Sequence, residues 1–276
     1  MQKVIYTNQI QEYSKYIDQA VIDYIAEGQT ETYESFDSFH LIAFDWYDIE
    51  DNTVPPTQIL IYFDKDVLFF MCENETTYRI VTKNFSTDPS NEHSLYLFFR
   101  NLFKGGIAQL ERIEGVVSLL DDDVMDGTED GLREKLISLR KDILRAKKYY
   151  QQLRLLFEDI CDNDNNLFTK DGLTDFEILR NRAVRLSTQA MELKDYIFQV
   201  FGSYQTQIGL EQNNLMKIFT LVTSIFMPLT LIAGWYGMNL QMPEFKWKYG
   251  YIFVAGISVL VCIIWILIFK KKKWYT

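Results

Sequence analysis

The sequence predicts a mixed α/β domain followed by long helices, with two membrane-spanning helices at its C-terminal end. Three observations support this fold class: strand-like alternation in the first 88 residues, helical periodicity from residue 89 onward, and two uncharged apolar runs near the end. Of the 276 residues, 48% are hydrophobic and 15% are aromatic, which is enough to fill a sizeable core. We therefore expect an ordered chain.

Strand-like segments occupy much of residues 1–88. The segments "HLIAFDWYDIE", "TQILIYF" and "DVLFFMC" are rich in Ile, Phe, Tyr and Val, and the short polar turn Asp64-Lys65-Asp66 joins the last two. This pattern predicts a hairpin. The segment "TYRIVTK" predicts a further strand, and "YSKYIDQAVIDYIAEG" predicts a helix closed by Gly28.

Helical periodicity replaces the strand pattern after Asp88-Pro89. It runs through "SLYLFFRNLF", "IAQLERIEGVVSLLDDDVM" and "EDGLREKLISLRKDILRAKKYYQQLRLLFEDIC", and it resumes near Leu173 after the polar segment "DNDNNLFTKDG". No proline occurs from there to Pro228, so we predict one continuous helix into the apolar region. Its length approaches about 60 residues, against a usual 10 to 14. Such a helix needs a packing partner, and further copies of the chain are the economical candidate.

Two apolar runs, residues 218–238 and 249–269, have 21 residues each and contain no charged side chain. As helices they span about 31 Å, the thickness of a bilayer core. Lys217 precedes the first run and Lys270 to Lys273 follow the second, whereas Lys246 and Lys248 are the only basic residues between them. Basic residues favour the cytosolic side, so we predict a multi-pass protein of the cell membrane with both termini cytoplasmic. A buried hairpin of a soluble protein is the less favoured alternative.

Charge and cysteine content restrict the partners and the compartment. Residues 217–276 hold seven basic residues and one acid, so their net charge is +6. Because the whole chain has a net charge of −10, the first 216 residues carry −16. An acidic body repels phosphate backbones and attracts cations, so nucleic acid is not an expected partner. Cys72, Cys161 and Cys262 lie far apart and form no metal-binding or disulfide pattern, which fits a reducing compartment. The N-terminal residues contain no apolar run of signal-peptide length, so we do not expect export by that route.

No catalytic or cofactor motif is apparent, so we expect no enzyme. His40 and His93 have no partners at catalytic or metal-binding spacing, and neither a P-loop nor a zinc pattern occurs. The EF-hand-like start at Asp162 fails because Leu167 and Leu173 stand where glycine and glutamate are needed. A weak candidate for a regulatory divalent-cation site is the acidic cluster Asp121, Asp122, Asp123 and Asp126, which continues to Glu129 and Asp130. Helix capping and solvation are the alternative reading of this cluster.

Polar and small residues in the first apolar run recur at steps of three and four, which places them in one stripe along a helix. We call them the polar stripe: Asn213, Met216, Thr220, Thr223, Met227, Thr230, Gly234 and Gly237. Other faces carry Leu221, Val222, Ile225, Phe226, Leu229 and Ile232. Polar side chains at membrane depth usually face protein or water, so the polar stripe is expected to face a bundle axis. In the alternative reading, each hydroxyl only bonds the carbonyl four residues earlier.

The end of this run resembles the CorA family of magnesium transporters. The residues that carry the resemblance are Tyr236-Gly237-Met238-Asn239 and the following Met242-Pro243-Glu244-Phe245. A weaker likeness extends upstream, so that it covers residues 57–276. The resemblance implies a homopentameric channel whose cytosolic helices form a funnel continuous with the pore helix. It implies no cofactor, with Mg²⁺ as the transported and regulatory ion.

The resemblance also divides the chain into segments. It implies a cytosolic α/β domain at 1–88, funnel helices at 89–212, a pore-lining helix at 213–240, an extracellular loop at 241–248, a second membrane helix at 249–270 and a basic tail at 271–276. By position, the pore is expected to be lined by Asn213, Met216, Thr220, Thr223, Met227, Thr230 and Gly234.

Three functional sites follow from the same resemblance. A selectivity filter is expected at Gly237, Met238 and Asn239, a hydrophobic gate at Met216 and Phe219, and a cation-attracting ring at Glu244. Because Mg²⁺ gives up its waters reluctantly and the run holds no carboxylate, the expected cargo is the hydrated ion. Asn239 side-chain oxygens would accept hydrogen bonds from its water shell.

Two departures from the family pattern concern intracellular control. Gly202 stands where many relatives have a lumenal aspartate, and residues 178–182, "ILRNR", lack the acids that relatives use to sense Mg²⁺. Gating through those particular positions is therefore not expected.

The favoured reading is a Mg²⁺ channel that also carries Co²⁺ or Ni²⁺. Two alternatives to it stay open. One is a zinc transporter of the ZntB-like branch, whose members usually lack Met-Pro-Glu after the motif. The other is a tail-anchored interaction protein that does not transport.

Overall fold

The computed structural model describes residues 1–27, 33–49, 51, 53–127, 131–238 and 247–271. It divides into two compact units, Met1–Gly202 and Ser203–Thr276, which are described separately below. The predicted α/β domain, the long helix and the second apolar helix are all confirmed.

Five strands form a mixed sheet in the first unit. They are β1 (Gln2–Tyr6), β2 (Tyr33–Ser35), β3 (His40–Trp46), β4 (Thr57–Phe63) and β5 (Leu68–Cys72). The strand order is β1-β5-β4-β3-β2, in which β1 and β5 are parallel and all other pairs are antiparallel.

The predicted hairpin joins β4 to β5, with Phe63 opposite Leu68. Asp64 explains the turn, because its Oδ1 accepts hydrogen bonds from the backbone N–H groups of Asp66 (2.7 Å) and Val67 (2.6 Å). The polar turn seen in the sequence thus fixes the register of the two central strands.

Both faces of the sheet are buried, which explains why its central strands are almost continuously hydrophobic. A 3-10 helix (Thr7–Tyr13) and α1 (Gln19–Glu27) contribute to the apolar cluster on one face, where Ile10 and Val21 meet Leu41, Tyr62 and Phe69. The other face packs against aromatic rings from later parts of the chain. These ring pairs include Phe44–Phe99, Phe70–Phe98 and Phe63–Phe168, with centroids 4.6 to 5.4 Å apart.

The strand predicted at "TYRIVTK" is wrong, because these residues lie in α2 (Glu75–Asn84). Asn74 caps this helix, and its side chain accepts a hydrogen bond from the Thr77 N–H at 2.9 Å. Thr77 and Val81, four residues apart, are the buried positions of α2. The β-branched residues suggested a strand, but the cap and the four-residue spacing of buried side chains favour a helix.

The first predicted helix is shorter than expected. Residues 14–16 form a turn between the 3-10 helix and α1, which begins at Gln19. Gly28, the predicted end of that helix, lies outside the described residues. The short strands β1 and β2 and the 3-10 helix were not predicted.

Four further helices follow: α3 (Asn91–Leu102), α4 (Gly106–Asp126), α5 (Leu132–Asp162) and α6 (Lys170–Tyr236). The predicted polar loop separates α5 from α6. Buried positions in α4 and the first part of α6 alternate in steps of four and three, the spacing of coiled coils, whereas α5 buries a wider stripe that also includes neighbouring pairs such as Tyr149 and Tyr150. In α6 they are Gly172, Phe176, Leu179, Ala183, Leu186, Ala190, Leu193, Ile197 and Val200.

These three helices pack against one another within a single chain. A Cβ added at Gly106 in α4 would lie 2.5 Å from the Tyr150 hydroxyl of α5 and 3.5 Å from Leu186 of α6. Farther along, the Tyr196 hydroxyl of α6 donates a hydrogen bond to Asp121 of α4 at 3.2 Å. The first half of the long helix therefore packs on its own chain through Val200, a contact that the sequence did not predict. Packing of this helix on further copies stays a prediction.

The second unit contains the rest of α6 and α7 (Gly250–Lys271). Both helices are long and apolar enough to cross a membrane. With 67 residues, α6 is longer than predicted, and Pro228 lies inside it without ending it.

Candidate ion pathway

The polar stripe lies on the face of α6 that points away from α7. A cavity of about 390 Å³ lies between the two helices and is lined by Leu231, Ile232, Trp235 and Tyr236 of α6 and by Val254 and Ile257 of α7. From residue 221 onward, the half-buried residues cluster on the same side of α6: Leu221, Ser224, Ile225, Pro228, Leu229, Ile232 and Tyr236. At about 100° per residue, the polar stripe is centred on nearly the opposite side of the helix. The outer helix of the same chain therefore leaves the polar stripe uncovered.

The polar stripe is exposed in the single chain. Met216 and Met227 are 63% and 66% exposed, and Thr220 and Thr230 are exposed as well. An open groove of about 750 Å³ follows this face over residues 222–238. Its lining residues are Val222, Thr223, Phe226, Met227, Thr230, Leu231, Gly234, Trp235 and Met238.

Two threonines of the polar stripe bond the backbone of their own helix. The hydroxyl of Thr220 donates to the Met216 carbonyl at 2.7 Å, and that of Thr230 donates to the Phe226 carbonyl at 2.8 Å. The alternative reading of the sequence is thus correct about the hydrogen bonds of these two residues. Because each hydroxyl has only one hydrogen, its oxygen is left as an acceptor alone. An acceptor suits a hydrated cation, whose coordinated waters present their hydrogens outward.

The two residues predicted to form a hydrophobic gate lie one helical turn apart on α6. Met216 is 63% exposed and Phe219 is 65% exposed, so neither is used in packing within the described chain. Residues 211–220 are exposed throughout. These side chains are free to meet their counterparts from other copies.

The predicted selectivity filter is described only in part. After α6 ends at Tyr236, the Gly237 N–H donates to the Ala233 carbonyl at 2.8 Å and the Met238 N–H donates to the Trp235 carbonyl at 3.3 Å. A Cβ at Gly237 would lie 2.9 Å from the Ala233 oxygen, so the close turn requires glycine. Asn239 and Glu244 lie outside the described residues, and their predicted roles stay predictions.

The acidic cluster lies at the C-terminal end of α4. Asp121 accepts the hydrogen bond from Tyr196, and Asp121 to Asp126 occupy the last two turns of the helix. Within the described part of one chain, no group of three or more His, Cys, Asp or Glu residues is arranged to hold a metal ion. Glu129 and Asp130 lie outside the described residues, and a regulatory site here stays a prediction.

The comparison with protein families decides the assignment, because the family described as CorA-like Mg²⁺ transporter protein matches residues 7–271. The chain belongs to this CorA-like family. The match covers the α/β unit from the 3-10 helix onward, the long helix and the second apolar helix. The family is one of membrane proteins, which fits the two apolar helices.

Individual relatives agree with this membership. The cobalt/magnesium transport protein CorA of Thermotoga maritima is 27% identical over 184 residues, which cover 66% of this chain and 52% of that protein. The chain thus matches about half the length of this relative.

Solved structures share the fold. The complete structure of the CorA magnesium transporter from Methanocaldococcus jannaschii has a TM-score of 0.75 and 20% identity, and the match covers 99% of this chain and 90% of that one. The ZntB cytoplasmic domain from Vibrio parahaemolyticus is more distant, with a TM-score of 0.59, 11% identity and a match to 73% of this chain and 84% of that one.

The spacing of residues in the sequence predicted the polar stripe, but it did not predict how the stripe lies relative to α7. The 22 residues of α7 are apolar on all sides, so their sequence gives no sign of which face contacts α6. The side of α6 that α7 covers emerges only from the packing of the two helices.

Proposed function

We propose that the chain forms a channel for divalent cations that conducts Mg²⁺ passively, driven by the membrane potential, with Co²⁺ or Ni²⁺ as further cargo. The observation that carries the proposal is the position of the polar stripe. It is an uncharged polar face of an apolar helix and it is turned away from α7. In the sequence, it ends at Gly237, the first residue of the motif Gly237-Met238-Asn239. Membership of the CorA-like family and the names of its relatives support the same cargo. This is a transport role, and we propose no enzymatic activity.

The channel would be a homopentamer with the polar stripe of each copy facing the axis. A single α6 cannot enclose a pore, and residues 211–220 are exposed in the described chain. Assembly of several copies would cover this surface. Native mass spectrometry of the detergent-solubilised protein should give five copies per particle, and a monomer at all protein concentrations would contradict the assembly.

The polar stripe suits an ion that keeps its water shell. Residues 218–238 contain no carboxylate that could replace coordinated waters, and removing them from Mg²⁺ is costly. Thr220 and Thr230 oxygens act as acceptors only, as the outer surface of a hydrated ion requires. A lumen without charge also binds the ion weakly, so the ion leaves easily.

Selection and closure would take place at the two ends of the polar stripe. At the outer end, five Asn239 side chains would accept hydrogen bonds from the water shell, and five Glu244 carboxylates would concentrate cations at the mouth. At the inner end, Met216 and Phe219 would close the pore by excluding water. Closure at high cytosolic Mg²⁺, with the cluster at Asp121 to Asp126 as a candidate sensor, is the corresponding mode of regulation.

Both termini would lie in the cytoplasm of a cell-membrane protein. The basic residues Lys217 and Lys270 to Lys273 at the two inner helix ends support this orientation. The acidic first unit would then face the cytosol.

The decisive residue test is growth of a strain that lacks its own Mg²⁺ importers. Wild-type protein should restore growth at low Mg²⁺, and Asn239→Ala should abolish the rescue. Asn214→Ala is the matched control, because it removes the same amide from a position about 160° from the polar stripe. Full rescue by Asn239→Ala would contradict the proposed filter.

A zinc transporter is the second candidate. The distant likeness to the ZntB domain concerns the fold, and Met242-Pro243-Glu244 speaks against that branch. If excess Zn²⁺ fails to compete with Mg²⁺ uptake, this candidate is excluded.

A tail-anchored interaction protein would need no polar face in its anchor. A uniformly apolar helix such as α7 would suffice, which makes this third candidate the weakest. It predicts a purified protein that conducts no cation.

A further inference from the structure

The α/β unit contains a cavity of about 370 Å³ that the proposed transport function does not use. It lies beside the end of β3, between the last residues of α2 and α3 and the middle of α5. Its volume falls within the roughly 300 to 1,000 Å³ of sites for small molecules.

Hydrogen bonds from two helices fix the segment after β3, which forms part of the cavity wall. Arg145 of α5 donates hydrogen bonds to the carbonyls of Asp48 (3.2 Å) and Val54 (2.7 Å), and Gln109 of α4 donates to the carbonyl of Ile49 (3.0 Å). Two helices therefore fix the described part of a segment that has no regular structure of its own.

A buried hydroxyl without a partner belongs to the lining. Tyr149 is 1% exposed, and its hydroxyl has no hydrogen-bond partner among the described residues. Buried polar groups are nearly always bonded, so this hydroxyl is able to bond a ligand in the cavity.

Two side-chain amides of the lining have an oxygen that accepts no hydrogen bond from the described residues. The side-chain nitrogen of Asn84 donates to the Ile80 carbonyl at 2.9 Å, and that of Asn101 donates to the Asn84 carbonyl at 2.7 Å. No described residue donates to either Oδ1 atom. Both oxygens are therefore available to N–H groups of a ligand.

Two lysines contribute to the exposed part of the lining. Lys83 and Lys104 are exposed cavity residues, whereas Asp48 is the acid of the lining and already accepts a hydrogen bond from the Asp51 N–H at 3.1 Å. In a body that carries −16, this basic pair is a local attraction for anions.

The remaining lining residues supply flat and apolar surface. Trp46, Ile80 and Leu102 border the same cavity, and an indole ring is a stacking surface for a planar aromatic group. The lining thus combines an aromatic ring, amide acceptors and a pair of ammonium groups.

We propose that this cavity binds a nucleoside phosphate. The base would lie against Trp46, with its N–H groups donating to Asn84 or Asn101 and a ring nitrogen accepting from the Tyr149 hydroxyl. The phosphate would contact Lys83 and Lys104. Adenine nucleotides fit this donor pattern, because their exocyclic amino group donates to amide oxygens.

The test is calorimetric titration of the purified full chain in detergent with AMP and ATP, in magnesium-free buffer that contains a chelator. We expect saturable binding of one nucleotide per chain. The double variant Lys83→Ala, Lys104→Ala should weaken it at least about tenfold, and Tyr149→Phe should weaken it about threefold to tenfold through loss of one hydrogen bond.

The control variant is Lys15→Ala, Lys141→Ala, which removes two exposed lysines outside the cavity. It should leave the affinity unchanged. Equal weakening by the control pair would show general attraction between charges and would overturn the proposal. So would an affinity for ribose 5-phosphate or inorganic phosphate equal to that for AMP, because the base would then contribute nothing.

Folding of the variants is checked separately, since Lys83 also lies in the last turn of α2, where a cation complements the helix dipole. Tyr149→Phe keeps the buried ring and removes an unpaired hydroxyl, so its thermal midpoint should not fall. Absence of nucleotide binding to a folded wild-type chain would overturn the proposal.

Discussion

At the residue scale, the threonines of α6 show how one hydrogen bond decides what a side chain can recognise. Thr220 and Thr230 use their single hydrogen within the helix, so they face outward as acceptors. A periodic row of such residues is polar without carrying charge. This is the property that passage of a hydrated cation requires.

A buried histidine in the α/β unit makes a pH prediction at the same scale. His40 is fully buried between the rings of Phe63 and Phe168, and its Nδ1 is hydrogen-bonded to the Tyr33 hydroxyl at 2.8 Å. Burial lowers the pKa of His40 from 6.5 to about 4, so the unfolded chain binds the proton more readily. The stability that neutral His40 contributes is fully present at pH values above its pKa in the unfolded chain. It is lost as the pH falls from about 6.5 towards 4.

Between pH 7 and pH 5, this effect should lower the free energy of unfolding by about 2 kcal/mol. Chemical denaturation at both pH values measures it. His40→Gln should show a correspondingly smaller loss, because glutamine at this position does not titrate. An unchanged loss in His40→Gln would show that other groups cause the pH dependence.

At the element scale, the buried stripe of α5 predicts which leucines hold the helices together. Leu153 is fully buried, whereas Leu155, two residues later, is 44% exposed. Leu153→Ala should lower the free energy of unfolding by about 2 to 5 kcal/mol, because it leaves a cavity in a packed layer. Leu155→Ala is the matched control and should cost less than about 1 kcal/mol. Similar costs for both variants would contradict the assigned packing.

The sequence predicted the elements that have strong periodicity and missed those that depend on partners. The segment "TQILIYF" and the long run through α6 were recognisable because burial on both faces, or on one stripe, leaves a clear pattern. The strand β1 was not predicted, because its apolar residues Val4 and Ile5 are adjacent and show no alternation, and because its pairing with β5 is a long-range contact. Helix α2 was mistaken for a strand because its β-branched residues outweighed the cap at Asn74.

The same distinction applies to the candidate site. The polar stripe could be predicted, since it follows from spacing in one helix. Its relation to α7 could not, because α7 is apolar all round and any of its faces could contact α6. Likewise, the packing of the first half of α6 on α4 and α5 depends on matching buried stripes in three separate segments.

At the scale of the whole molecule, the account depends on several copies meeting along α6. Within one chain, the half of α6 up to Val200 is covered by α4 and α5, and residues 211–220 are exposed. The membrane half presents its polar stripe away from α7. Each property fits a subunit of a pore, and a subunit alone should conduct nothing.

Mg²⁺ flux through purified protein in liposomes tests the central claim most directly. Liposomes that contain a Mg²⁺-sensitive dye should show influx that increases with an inside-negative potential. Asn239→Ala should reduce this influx at least about tenfold, and Asn214→Ala should leave it close to the wild-type rate. Absence of flux from correctly assembled wild-type protein, or undiminished flux through Asn239→Ala, would contradict the account.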